Sequence, residues 1–135
     1  FESGDVTLTG ASTIDTQGFM VASSLGLTGG GELNKQGSGT LTLTGNNTYT
    51  GRTHVRDGTL VLTGTGEINS IFGSVNVGQS AGEVGTFILS DDAVVNVVRT
   101  RLGSSANSTG TAIVTGGIWS NSLHFAVGDF GSGTL

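Results

Sequence analysis

The chain has 135 residues, with ten acidic and five basic side chains, a net charge of −5, and neither Cys nor Pro. So few basic groups exclude nucleic acid as the partner, because phosphate binding needs a basic stripe. The missing cysteines exclude disulfide staples and thiolate metal sites. Gly (25), Thr (20), Ser (15) and Asn (8) make up half of the sequence, which disfavours helix, and the regularly spaced aliphatic residues disfavour disorder.

The chain opens on Phe1 without a signal peptide, and no apolar run approaches the roughly 18 residues of a spanning helix. No membrane insertion of this segment is therefore expected. The first strand pattern is Gly4-Asp-Val-Thr-Leu-Thr-Gly10, a loose relative of Gly39-Thr-Leu-Thr-Leu-Thr-Gly45. The latter recurs 19 residues later as Gly58-Thr-Leu-Val-Leu-Thr-Gly64. Leu41 and Leu43 alternate with threonines, and so do Leu60 and Leu62, the mark of strands with one buried face. Gly-Asn-Asn at 45–47 and Asp57-Gly58 bound these strands and supply turns.

Beyond residue 70 the period lengthens. Val77-Gly78, Leu102-Gly103 and Val127-Gly128 stand 25 apart, as do Gly85-Thr86 and Gly110-Thr111, and also Asn96 and Asn121. The last copy is two residues shorter, ending on Gly133-Thr134. The chain stops at Leu135 on a triplet that opens strands elsewhere, so it is read as a fragment cut mid-strand. Its terminal strands carry no polar cap.

A repeat unit of 19 to 25 residues holds two or three short strands and their turns. The simplest closure is one unit per rung, with equivalent strands parallel and in register about 4.8 Å apart. The expected fold is all-β: a right-handed parallel β-helix, or solenoid, of roughly six rungs. Residues 1–135 form one segment, with rungs of about 19 residues over 1–70 and of about 25 over 71–135. The predicted inward residues are Leu41, Leu43, Leu60, Leu62, Val77, Phe87, Leu89, Leu102 and Val127. Ladders are expected for Val77, Leu102 and Val127, for Val75, Thr100 and Phe125, and for the amides of Asn96 and Asn121. An antiparallel sandwich would not require fixed spacings of equivalent residues. A propeller blade needs about 40 residues.

The stretch from Gly29 to Leu62 closely resembles the passenger-associated transport repeat of bacterial autotransporters. That repeat reads as a Gly-Thr-Leu strand, an Asn-x-Tyr-x-Gly-x-Thr turn and a second Gly-Thr-Leu strand. Asn47, Tyr49, Gly51, Thr53, Val55, Gly58 and Leu60 carry the likeness. The 25-residue units from about Val77 onward resemble a second repeat type of secreted adhesin-like proteins. The resemblance implies a type V secretion passenger, exported through periplasm and outer membrane to the cell surface or the medium. A C-terminal outer-membrane barrel is then expected in the full-length protein. The absence of Cys and the stepwise stacking of rungs suit a chain that folds as it emerges.

Chemistry-bearing residues are few. The adjacent pair Asp91-Asp92 follows the strand at 86–89 and is read as a local turn cap rather than a glycosidase dyad. Asp129 and Ser132 faintly resemble a serine nucleophile loop, but Phe130 stands where the protease motif has Ser. They share the turn register of residues 79–84 and 104–109. His54 and His124 have no metal-ligand spacing and are read as exposed, outward strand residues. Asn46-Asn47-Thr48 and Asn107-Ser108-Thr109 match glycosylation sequons but are read as turns. Arg99 and Arg101 should point outward, more as face solvation than as contacts to a small anion. No catalytic residue, metal ligand or cofactor is singled out, and no enzyme is expected.

The expected function is that of a surface-exposed or secreted passenger. It would act as stalk or adhesion scaffold toward a host receptor, matrix protein or glycan, or in self-association between cells. The alternative is the stalk of a secreted effector (a toxin, receptor ligand or enzyme) whose active region lies outside this segment. An adhesin should show extended surface patches, an enzyme a carboxylate-lined groove.

Overall fold

The structure, a computed structural model, describes residues 4–135. Its strands fall into six successive layers. The first layer holds β1 (Val6–Leu8), β2 (Ala11–Asp15) and β3 (Met20–Ser23). The second holds β4 (Leu27–Gly29), β5 (Glu32–Gln36) and β6 (Thr40–Leu43), and the third β7 (Asn46–Asn47), β8 (Thr53–Val55) and β9 (Asp57–Leu62). From there the first two strands of each layer fuse: β10 (Glu67–Val77) with β11 (Val84–Leu89), β12 (Val94–Leu102) with β13 (Thr109–Val114), and β14 (Ile118–Val127) with β15 (Ser132–Thr134).

Every strand pair is parallel, each strand hydrogen-bonding to its equivalent in the layers above and below. The described residues contain no helix. This is a parallel β-solenoid with three faces. The first face stacks β1 on β4 and continues through β7 into the leading halves of β10, β12 and β14. On the second, β2, β5 and β8 lead into the trailing halves of the same long strands. The third stacks β3, β6, β9, β11, β13 and β15.

Alternation decides which side chains fill the interior. Leu41, Leu60, Phe87 and Ala112 form one inward column of the third face, and Leu43, Leu62 and Leu89 another, all buried. Between them, Thr40, Thr59, Thr86, Thr111 and Thr134 pair in an outward column. On the second face Val75, Thr100 and Phe125 pair as the 25-residue spacing predicts, and so do Val77, Leu102 and Val127. The glycines that follow the last three, Gly78, Gly103 and Gly128, have φ of +62°, +62° and +71°. The repeated aliphatic-Gly pair is thus a left-handed turn by which the chain leaves the second face, a conformation open to Gly without strain.

Three expectations require correction. Val127 occupies an inward position but is 45 % exposed, because it lies in the last layer with no neighbour to cover it. Gly4–Gly10 is not equivalent to the strands after Gly39 and Gly58: β1 pairs with β4 on the first face, whereas β6 and β9 belong to the third. Asn96 and Asn121 do not stack. Asn96 pairs with Ser120, and Asn121 pairs with Val97. The cause is the corner between the first and second faces. Val98 alone separates Val97 from Arg99, whereas Ser122 and Leu123 separate Asn121 from His124, so pairing is offset by 24 before the corner and by 25 after it. The asparagine column is instead Asn96 with Asn69, whose amides meet at 3.4 Å. Asn121 accepts a 2.8 Å hydrogen bond from Thr100 Oγ1.

Layer size varies with what the corners carry. Thr40 pairs with Thr59, nineteen residues on, whereas Leu60 pairs with Phe87, twenty-seven on. The ladders stay in register because the extra residues sit outside them.

Candidate functional site

The turn between β7 and β8 is built almost entirely from buried polar groups. Asn47 is fully buried. Its Oδ1 accepts from the Leu27 N–H at 3.1 Å in the layer below, and its Nδ2 donates to the carbonyls of Gly45 and Glu67, both at 2.8 Å, the latter in the layer above. One side chain thereby ties three layers together. Tyr49 is fully buried, and its hydroxyl hydrogen-bonds with that of Thr53, itself buried. Burial pushes the Tyr49 phenol far above its ordinary range, and the Thr53 bond opposes this in part. A Cβ at Gly51 would collide with the Gly31 carbonyl oxygen of the neighbouring layer. At Gly58, where φ is +68°, it would meet the carbonyl oxygens of Gly37 and Gly39. Val55 and Leu60 complete the segment as fully buried core residues.

Residues 33–62 match the passenger-associated-transport-repeat family. The transport repeat thus spans the second and third layers from β5 to the end of β9. The residues by which it is recognised are structural: they are buried, or are glycines at close backbone approaches. No curated protein and no solved structure matches the chain. The transport repeat and the solenoid built around it fit the stalk of an autotransporter passenger.

Because the transport repeat directs its recognisable residues inward, functional contacts fall to the outer faces. Charge is unevenly spread there. All four arginines of the chain lie along the second face. Arg52 precedes Thr53, the partner of both Leu33 and Val75. Arg99 pairs with Ser74 and with His124. Asn34, His54, Asn76, Arg101 and Ala126 form the adjacent outward column. Arg56 donates to Glu83 at 3.0 Å and to Asn34 at 3.2 Å. Arg52 lies 3.9 Å from Glu32. Arg99 and Arg101 are exposed, as the alternation predicts, and form no ion pair among the described residues.

Three depressions open on this face, of about 130, 400 and 460 Å³, and Arg101 borders all of them. No carboxylate lines the first, and Asp129 is the acidic residue lining the other two.

The remaining candidates occupy different places. Asp91 takes φ +57° in the turn after β11, and its carboxylate accepts from the Thr63 hydroxyl and the Gly64 N–H of the layer below. These bonds hold its pKa below the usual carboxylate range, opposite to the raised value that a general acid needs. Ser132 pairs with Thr109, which pairs with Val84, so it keeps the predicted turn register. Asn107 is a left-handed turn residue with φ +62°.

His54 needs correction. It faces outward but is only 7 % exposed, 3.7 Å from Glu32. Burial lowers its pKa, Glu32 opposes this, and Arg56 adds to the lowering. His124 is exposed as expected.

Lys35 went unnoticed in the sequence. It occupies an inward position between Ile14 and Val55, and its ammonium donates to the carbonyls of Gln36, Gly37 and Asp57 at 3.1, 2.7 and 2.9 Å. Burial lowers its pKa, against the attraction of Asp15 and Asp57. Its inward parity was the available signal.

Proposed function

We propose that this solenoid is a passenger stalk held outside the bacterial cell, where it presents its second face to host molecules or neighbouring cells. The observation that supports this reading most is the division of labour in the transport repeat. Its recognisable residues bind the layers to each other, which leaves the outward columns free to vary and to bind. A rigid array of parallel layers, each contacting only its neighbours, suits both stepwise folding outside the membrane and extended display. The role is one of scaffold and contact rather than catalysis. The turn aspartates are tied to backbone and hydroxyl partners, and the depressions are shallow and poor in carboxylates.

The test uses cells that produce the whole protein. Antibodies against residues 4–135 should label intact cells, and deletion of whole layers should reduce attachment to host cells or cell–cell aggregation. Labelling only after the outer membrane is opened would refute external display. Undiminished attachment without the solenoid would favour the alternative, a stalk serving an effector elsewhere in the protein. The paired substitutions Asp91→Asn and Asp92→Asn, and separately Ser132→Ala, should leave every measured activity unchanged.

A further inference from the structure

A chain with net charge −5 gathers its four arginines on one face, and the layer spacing brings three of them to one small depression. Arg52, Arg99 and Arg101 line it together with Ser74, Asn76 and the ring of Phe72, which is 79 % exposed. Like charges gathered without an acidic lining residue repel, an arrangement relieved when an anion enters. At about 130 Å³, the depression is well below the roughly 300–1,000 Å³ of a pocket that encloses a whole small molecule. It fits one charged side group of a ligand whose body lies outside.

The two wider depressions indicate what that body is. Both meet the first at Arg101. The second carries the hydroxyls of Ser80, Ser104 and Ser105, the Asp129 carboxylate and the Phe130 ring, which is 82 % exposed. Hydroxyl donors and an acceptor beside an open aromatic face match a polyhydroxylated ring, with polar edges and an apolar face. They offer no apolar slot for peptide side chains. Asn76 and Ser104, which line the first and second depressions, also hold the two buried side-chain atoms without a hydrogen-bond partner among the described residues, Asn76 Oδ1 and Ser104 Oγ. Buried polar groups in native proteins nearly always have partners, so polar capacity is left open at both places.

We propose that the second face binds an acidic polysaccharide, with one uronic-acid carboxylate held by Arg52, Arg99 and Arg101 and a neighbouring sugar ring lying against Phe130 and the serines. Guanidinium forks pair two parallel N–H groups with two coplanar oxygens, which a carboxylate supplies. The proposal rests on the reading of this face as a display surface and supplies its ligand chemistry.

Binding of oligogalacturonate to the purified chain tests it, by calorimetry at low salt. The same titrations are run with neutral dextran, dextran sulfate and poly-glutamate. Oligogalacturonate should bind best, with affinity that falls as salt rises. Replacing Arg99 and Arg101 by Gln should weaken binding by at least about tenfold, since each charge-assisted bond contributes roughly 1.5–3 kcal/mol. Phe130→Ala should weaken the oligomer and leave monomeric galacturonate unchanged. In the unaltered protein, the Nε–H resonances of Arg52, Arg99 and Arg101 should shift on titration while that of Arg56, already held by Glu83, stays still. This measurement stands even if a variant fails to fold. Binding no better than that of dextran, or unmoved arginine resonances, would overturn the proposal. So would equal or tighter binding of dextran sulfate or poly-glutamate, which would assign the face to sulfates or acidic peptides. None of these outcomes bears on surface labelling of cells, so the failure of this inference and of the display reading are distinguishable.

Discussion

Asn47 offers the sharpest test of how the layers hold together. In Asn47→Ala the buried Leu27 N–H loses its acceptor, and the carbonyls of Gly45 and Glu67 each lose a donor. An unsatisfied buried N–H costs about 1–3 kcal/mol, and the two lost carbonyl bonds add about 0.5–1.5 kcal/mol each, for a total of about 2–6 kcal/mol. With a urea slope of roughly 1–3 kcal/mol/M, the unfolding midpoint should fall by about 1 M or more. Amides of the second and fourth layers around Leu27 and Ile68 should exchange faster, because the lost side chain bridged them. Asn47→Asp separates the donor from the acceptor. It keeps an acceptor for Leu27 and turns the donor into a buried oxygen facing two carbonyls, which raises the folded-state pKa of the introduced carboxyl. A group with a raised folded pKa is tolerated below its unfolded value. This variant should therefore be most stable near pH 4 and lose stability as pH rises through its folded pKa. A midpoint for Asn47→Ala within about 0.5 kcal/mol of the parent would refute the argument that this side chain binds three layers.

Leu43→Asp places a charge in a fully buried column between Ser23 and Leu62 and should cost several kcal/mol; an unchanged melting temperature would refute the inward register of β6. Gly58→Ala adds a Cβ against two carbonyl oxygens at positive φ and should destabilise by about 1–3 kcal/mol in denaturant titrations, whereas Gly64→Ala, with φ +64° and open space, should cost less. His54 has a folded pKa below its unfolded value, so the unfolded chain takes up a proton first as pH falls below about 6.5. Its contribution to stability is present above that pH and lost below it, and His54→Gln should flatten the melting temperature between pH 8 and pH 5.

What the sequence disclosed depended on where a residue sits relative to the corners. Val77, Leu102 and Val127 were legible because each lies between the same corner and the same glycine turn. Asn96 and Asn121 had the same spacing but lie before a corner of variable length, so equal spacing misassigned them. Gly4–Gly10 misled for another reason: all three faces use one alternation, so a short Gly-Thr-Leu pattern does not say which face it joins. Inward parity gave the core of β6, β9 and β11, and failed only for Val127, where the covering layer is missing. Arg99 and Arg101 were legible as an outward pair. Their meeting with Arg52 was not, because two layers of unequal size intervene. Parity alone also could not show that His54 lies under its neighbours or that Lys35 finds three carbonyls in the interior.

The corner between the first and second faces has a consequence of its own. It holds Ile71, Phe72 and Gly73 in one layer, Val98 in the next, and Ser122 and Leu123 in the last. Three, one and two residues are thus accommodated at the same place while the flanking strands stay paired, and Ile71, Phe72 and Leu123 are largely exposed there. This edge is a margin on which residues can be inserted, deleted or exchanged without rewriting the text on either side. Variation among related chains should accumulate along it, altering what borders the arginine columns while the interior stays the same.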